Sequence, residues 1–91
     1  MALIAHFAAT GMDEKKYAEV LRRLEAAGVG APQGRLHHTC YGTKDSLWVV
    51  DVYDTKQNFE KFGQTLVPIL ASLGIDAKPE VQEVHNIIRQ D

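Results

Sequence analysis

His6, Asp51 and His85 are the side chains of this sequence whose types could do chemistry together. A carboxylate beside an imidazole favours its charged form and fixes its tautomer. Such a constellation can serve as a catalytic base, or as a hydrogen-bond donor to a phenolic or enolic ligand. Two histidines and a carboxylate are also the donor set of a non-haem divalent-metal site, but three separate strands do not guarantee ligand geometry, and no metal is expected. Tyr53, His37 and Tyr41 are candidate ligand-binding residues, the tyrosines by stacking on or hydrogen bonding to a planar molecule, although tyrosine also serves at interfaces. His37 and His38 are adjacent and on a strand point to opposite faces, so they cannot share one ion; one of them is expected to be packed or solvated. Cys40 is the only cysteine, which excludes an internal disulfide and a cysteine zinc cage and reads as a small buried residue. The plainer alternative is that His6 and Asp51 merely satisfy each other at an interface.

Six elements must position these groups. Residues 2–9 alternate loosely before Thr10 and Gly11 and read as a strand. Asp13 can cap the following helix, with Met12 and Tyr17 as a hydrophobic staple; Tyr17, Val20, Leu21, Leu24 and Ala27 recur at helical spacing and Gly28 ends the run. Residues 28–34 form a glycine-rich connecting loop without phosphate-binding spacing. Residues 35–41, a turn at 42–45 and residues 47–53 form a hairpin. Asp54 or Thr55 caps a second helix bearing Phe59, Phe62, Leu66, Ile69, Leu70 and Leu73, closed by Gly74, with Pro68 predicting a kink or break near residues 66–67. Residues 81–88 form the last strand. Strand, helix, strand, strand, helix, strand with right-handed crossovers predicts a single α+β domain, a ferredoxin-like βαββαβ fold whose four-stranded antiparallel sheet has the order 4-1-3-2 and both helices on one face.

The third strand is apolar on both alternating faces, and one layer of helices covers only one of them. A second copy of the chain is the natural cover, which would make the protein a homodimer through its open sheet faces. Because a carboxylate is costly under an apolar helix layer, Leu47, Val49, Asp51 and Tyr53 are expected on the open face, with Trp48, Val50 and Val52 in the core. Ile4, His6 and Ala8 are placed on the same open face, together with His37, Thr39 and Tyr41 from the second strand and Glu83 and His85 from the fourth. His6, Asp51 and His85 would then converge.

Ninety-one residues, 45% hydrophobic and 24% charged, make one globular domain that buries only about two-thirds of its unfolded surface, so self-association would help. A net charge of -2 disfavours nucleic acid and anionic membranes. No run approaches a membrane span and the amino terminus lacks a secretory pattern, so the expected location is cytoplasmic. The third strand carries no Lys or Arg, against an RNA-recognition domain, and a soft-metal carrier would need a Cys-x-x-Cys pair that is missing.

Residues 11–17 (Gly-Met-Asp-Glu-Lys-Lys-Tyr), 48–53 (Trp-Val-Val-Asp-Val-Tyr), Phe59 with Phe62, Pro68, and Val84-His85-Asn86 resemble the dimeric alpha-beta barrel superfamily, and within it the antibiotic-biosynthesis-monooxygenase-like branch. The resemblance covers essentially the whole chain and implies two open sheet faces paired into a barrel. Haem-degrading relatives take their iron ligand from a histidine on the second helix, and the helix expected here has none, so the resemblance implies no haem and no cofactor is expected. Cofactor-free monooxygenases of the branch bind flat aromatic polyketides and deprotonate them before oxygen attack. The expected function is binding of a small, partly aromatic metabolite in the barrel; the alternative is a cofactor-independent monooxygenase or isomerase using His6, Asp51 or His85 on a phenolic or polyketide-like substrate. A purely structural dimerisation unit is the third reading.

Overall fold

A computed structural model of the chain describes residues 1–88. Its elements are β1 (Leu3–Ala8), α1 (Glu14–Ala26), β2 (Arg35–Thr43), β3 (Ser46–Tyr53), α2 (Lys56–Ser72) and β4 (Pro79–Glu83). They form one antiparallel sheet in the order β2-β3-β1-β4, so the fold is the ferredoxin-like α+β arrangement that the element order implied.

The helix ends are fixed by local chemistry. Asp13 accepts the Lys16 amide at 2.8 Å, and Thr55 accepts the Asn58 amide at 3.1 Å, each satisfying a first-turn donor that has no partner within its helix. Gly28 and Gly74 follow the two helices with φ of +79° and +70°. The next amides turn back into the helix, Val29 to the Leu24 carbonyl and Ile75 to the Leu70 carbonyl. Pro68 does not break α2, which runs through it. Pro68 and Gln64, the residue whose carbonyl loses its donor, are both exposed, so water can serve the freed group. β4 ends at Glu83, well before the expected residue 88. The Val84 amide still donates to the Ala2 carbonyl, but residues 84–88 are not strand.

Register decides which side chains meet. β1 pairs with β3 so that Ala5 faces Asp51 and His6 faces Val50; β2 pairs with β3 so that His38 faces Asp51 and Tyr41 faces Trp48. Leu3, Ala5 and Phe7 of β1 and Leu47, Val49 and Tyr53 of β3 join Val20, Leu24, Phe62 and Leu70 in the core, beneath the helices. Ile4, His6, Trp48, Val50, Val52 and Tyr41 therefore occupy the other face. The β1 and β2 assignments of the sequence reading stand. The β3 assignment is inverted: Asp51 and Tyr53 point to the helices, and Trp48, 42% exposed, points away. β4 is inverted as well, because Glu83 pairs with Leu3 and Glu80 with His6, which puts Glu80 and Gln82 on the open face.

Candidate functional site

Asp51 is 2% exposed, yet it is not stranded in apolar surroundings. His38 Nδ1 lies 2.5 Å from Asp51 Oδ1, and His38 Nε2 lies 2.7 Å from the Tyr17 hydroxyl. A carboxylate only accepts, so Nδ1 carries the proton it receives and Nε2 is left to accept from the Tyr17 O–H. The expectation that a carboxylate avoids the helix layer failed because β2 and α1 bring it these partners, and a buried charge is tolerated when it is hydrogen bonded.

Three elements build this chain. β3 supplies Asp51 from the middle of the sheet, β2 supplies His38 directly opposite, and Tyr17 comes from the first turns of α1. Burial, followed by the neighbouring Cys40 thiol and the negative charge of Asp51, pushes the Tyr17 phenol up to about 12, so it stays protonated at neutral pH and donates. Burial also raises the Cys40 thiol, against a hydrogen bond with Tyr17 that opposes the rise.

The chain borders a cavity of about 50 Å³ between sheet and helices. Val20, Leu24, Phe62, Leu66 and Leu70 make its apolar wall, and Tyr17, Arg35, His38 and Asp51 its polar one. Leu21, which is 42% exposed, also lines it, so the cavity reaches the surface. Apolar walls with a few convergent polar groups are the usual composition of a small-molecule site.

The residues singled out from sequence are divided between the two faces. His6 is on the open face, sharing a 2.5 Å hydrogen bond with the Tyr41 hydroxyl; both rings stand edge-on to Trp48, at 5.5 and 5.9 Å between centroids. His37 is exposed and bonds Thr39 Oγ1 at 2.5 Å. Tyr53 is fully buried, its ring against Phe59 and Phe62, so it is a core residue rather than a barrel-facing one. Its hydroxyl has no partner among the described residues. Burial and then the charge of Asp51 raise its ionisation, and Arg35 opposes them. His85 lies beyond the end of β4 and is exposed. His6, Asp51 and His85 thus do not converge: the sheet separates His6 from Asp51. Nor can these three form the two-histidine, one-carboxylate metal arrangement.

His38, Tyr17 and Arg35 were missed as site residues. The signal for His38 was present in the hairpin. The turn leaves Thr43 opposite Ser46, and counting outward from that pair sets His38 against Asp51 on one face. Tyr17 read only as a helix staple, and Arg35 only as the start of a strand.

Among solved structures, similarity spans nearly the whole chain. SnoaB, a cofactor-independent oxygenase from Streptomyces nogalater, matches with a TM-score of 0.60 at 18% identity over 98% of this chain and 96% of its own. This chain shares its ferredoxin-like fold with that structure and the following ones. A candidate antibiotic biosynthesis monooxygenase from Chloroflexus aurantiacus gives 0.61 at 15% identity over 97% and 95%. A protein of unknown function from Nitrosomonas europaea gives 0.55 at 15% over 98% and 90%. No family model matches the sequence, and no curated protein does. Identities this low establish the fold alone and leave the activity to the site.

Proposed function

We propose that this chain binds a small, partly aromatic metabolite in the cavity between the sheet and the helices, and that Tyr17, His38 and Asp51 move a proton on it. The observation that carries this reading is the continuous hydrogen-bonded path from buried Asp51 through His38 to Tyr17 at the wall of an apolar cavity. A hydroxylated ring would lay its apolar body against Val20 and Phe62 and its hydroxyl toward Tyr17. As the Tyr17 oxygen takes the ligand proton, its own proton passes to His38 Nε2, and Asp51 stabilises the imidazolium that results. No free tyrosinate forms, which suits a phenol whose ionisation is pushed to about 12.

Two reactions suit that relay. An isomerase would return the proton to a different carbon. A cofactor-independent monooxygenase would let the deprotonated ligand give its electron pair to dioxygen; loss of water from the hydroperoxide then leaves a quinone, so that one phenol and one O2 yield one quinone and one water. The likeness to SnoaB supports the second.

The resting cavity is smaller than the roughly 150 Å³ that accommodates benzene. Leu21 and Leu66, the less buried leucines of its wall, would have to turn outward. Screening a panel of phenols and naphthols by ligand-observed NMR, with oxygen uptake recorded for those that bind, tests the proposal. Binding lost in a folded Tyr17→Ala or His38→Ala variant supports it; no binder in the panel, or binders indifferent to both variants, counts against it.

The open face carries Ile4, Trp48, Val50, Val52 and Tyr41 around His6, a mostly apolar surface that the chain's own helices do not cover. We assign it to a second copy of the chain. A homodimer is the reading that this surface supports, and among the described residues no helix is long and apolar enough to cross a membrane.

A further inference from the structure

Arg35 stands apart from the other arginines whose partners are seen. Arg22 and Arg23 both pair with Glu19 on the surface of α1. Arg35 is half-buried, lines the cavity, and has no carboxylate within salt-bridge distance among the described residues. Its one hydrogen bond with good geometry among the described residues is a long one, from Nη2 to the Gly30 carbonyl at 3.3 Å, and the guanidinium stands near enough to the Tyr53 hydroxyl to oppose the rise in that phenol's ionisation. A guanidinium has five N–H donors in a planar fork, so most of its donor capacity is unspent. Directly across the ladder is Tyr53, whose buried hydroxyl also has no partner among the described residues. The nearest buried acid, Asp51, is engaged by His38. A cation with no carboxylate partner among the described residues thus borders the cavity beside its apolar wall, where its attraction for an anion is screened less than at the surface.

We propose that Arg35 selects the ligand by charge: the site takes a phenol, enol or similar acidic molecule and, as the relay draws off its proton, holds the resulting oxyanion at the Arg35 guanidinium while the apolar wall holds the ring. The inference rests on the cavity being the ligand site, and it deepens that reading by naming the ligand class and the residue that sets it. Arg35 stabilises the anion that the relay produces, so the proton taken by Tyr17 and His38 leaves a charge with a counterion already in place. Tyr17, His38, Asp51 and Tyr53 are the titratable groups around it in the fold, with Glu25 beside Gly30; Asp51 is bonded to His38, and Glu25 makes no salt bridge to the guanidinium among the described residues.

The probe is 4-nitrophenol, whose ionised form is coloured, beside its methyl ether 4-nitroanisole, which has the same body and cannot ionise. Bound 4-nitrophenol is expected to ionise about one pH unit or more below the free molecule, a preference of about tenfold or more for the anion. Arg35→Met should abolish that shift while 4-nitroanisole binds as before, and Arg35→Lys should recover part of it; thermal melts confirm that both variants are folded. A shift that persists in Arg35→Met, or an ether that binds the unmodified protein as tightly as the phenolate, overturns the assignment and leaves the cavity reading standing. If neither probe binds, the cavity reading fails and this inference with it.

Discussion

Asp51 shows how one side chain can be misplaced by a sound rule. A buried carboxylate is costly in isolation, but with His38 at 2.5 Å the cost becomes that of breaking the pair. Asp51→Ala should lower stability by about 1–3 kcal/mol, read from urea unfolding, because it leaves the half-buried imidazole without its acceptor. Asp51→Asn keeps an oxygen of the same shape but no negative charge; it should remain folded and lose proton transfer to any ligand the cavity turns over, and retained activity would remove Asp51 from the relay. Tyr17 gives a pH prediction of definite sign. Its ionisation is raised from 10.0 to about 12 in the folded state, so the folded protein holds this proton more tightly than the unfolded chain does. Its contribution to stability is full below pH 10 and declines as the pH rises through 12. Ultraviolet titration should show a late tyrosine step near 12 that disappears in Tyr17→Phe. If Tyr17→Phe instead removes a step at ordinary tyrosine pH, the phenol is not shielded as described.

At the scale of elements, the β2–β3 hairpin is the device that makes the site. Its two-residue turn at Lys44 and Asp45 fixes the register, and a shift by one residue would send His38 and Asp51 to opposite faces. Gly42 holds a φ of +120°, and a Cβ there would meet the Ser46 carbonyl oxygen at 2.5 Å. Gly42→Ala should therefore cost about 1–3 kcal/mol and, if it slips the hairpin, should also weaken ligand binding; a neutral melting temperature would show that the strained conformation is unnecessary. α2 contributes the adjustable wall. Leu66→Ala should widen the cavity and tighten binding of aromatic rings, at a stability cost of about 1–2 kcal/mol because Leu66 is only partly buried. Pro68 taught a narrower lesson: a proline inside a helix is tolerated when its unpaired carbonyl faces water.

For the molecule as a whole, the sheet has one face under its helices and one left open. The open face carries both an apolar patch and the His6–Tyr41–Trp48 cluster, features suited to a pairing surface with aromatic anchors. Trp48→Glu should convert a dimer to monomers in sedimentation at micromolar concentration, while the cavity on the other side keeps its ligand affinity. A monomer before substitution would remove the second copy from the account. Loss of ligand binding together with the dimer would show that the two faces are not independent.

Sequence alone determined the element order, the cap of the first helix, the hairpin and the apolar character of both faces of β3, and narrowed the second cap to Asp54 or Thr55, because these depend on spacing and on interactions within a few residues. It also singled out Asp51 as a candidate site residue. Which face Asp51 takes was decided only by tertiary structure, since period-two alternation gives two equivalent parities and the choice rests on which partners arrive from other elements. Tyr17 comes from 34 positions earlier in the chain and His38 from across the ladder. Their hydrogen bonds reverse the desolvation argument; the hairpin register alone could set His38 opposite Asp51, but no local pattern contains Tyr17.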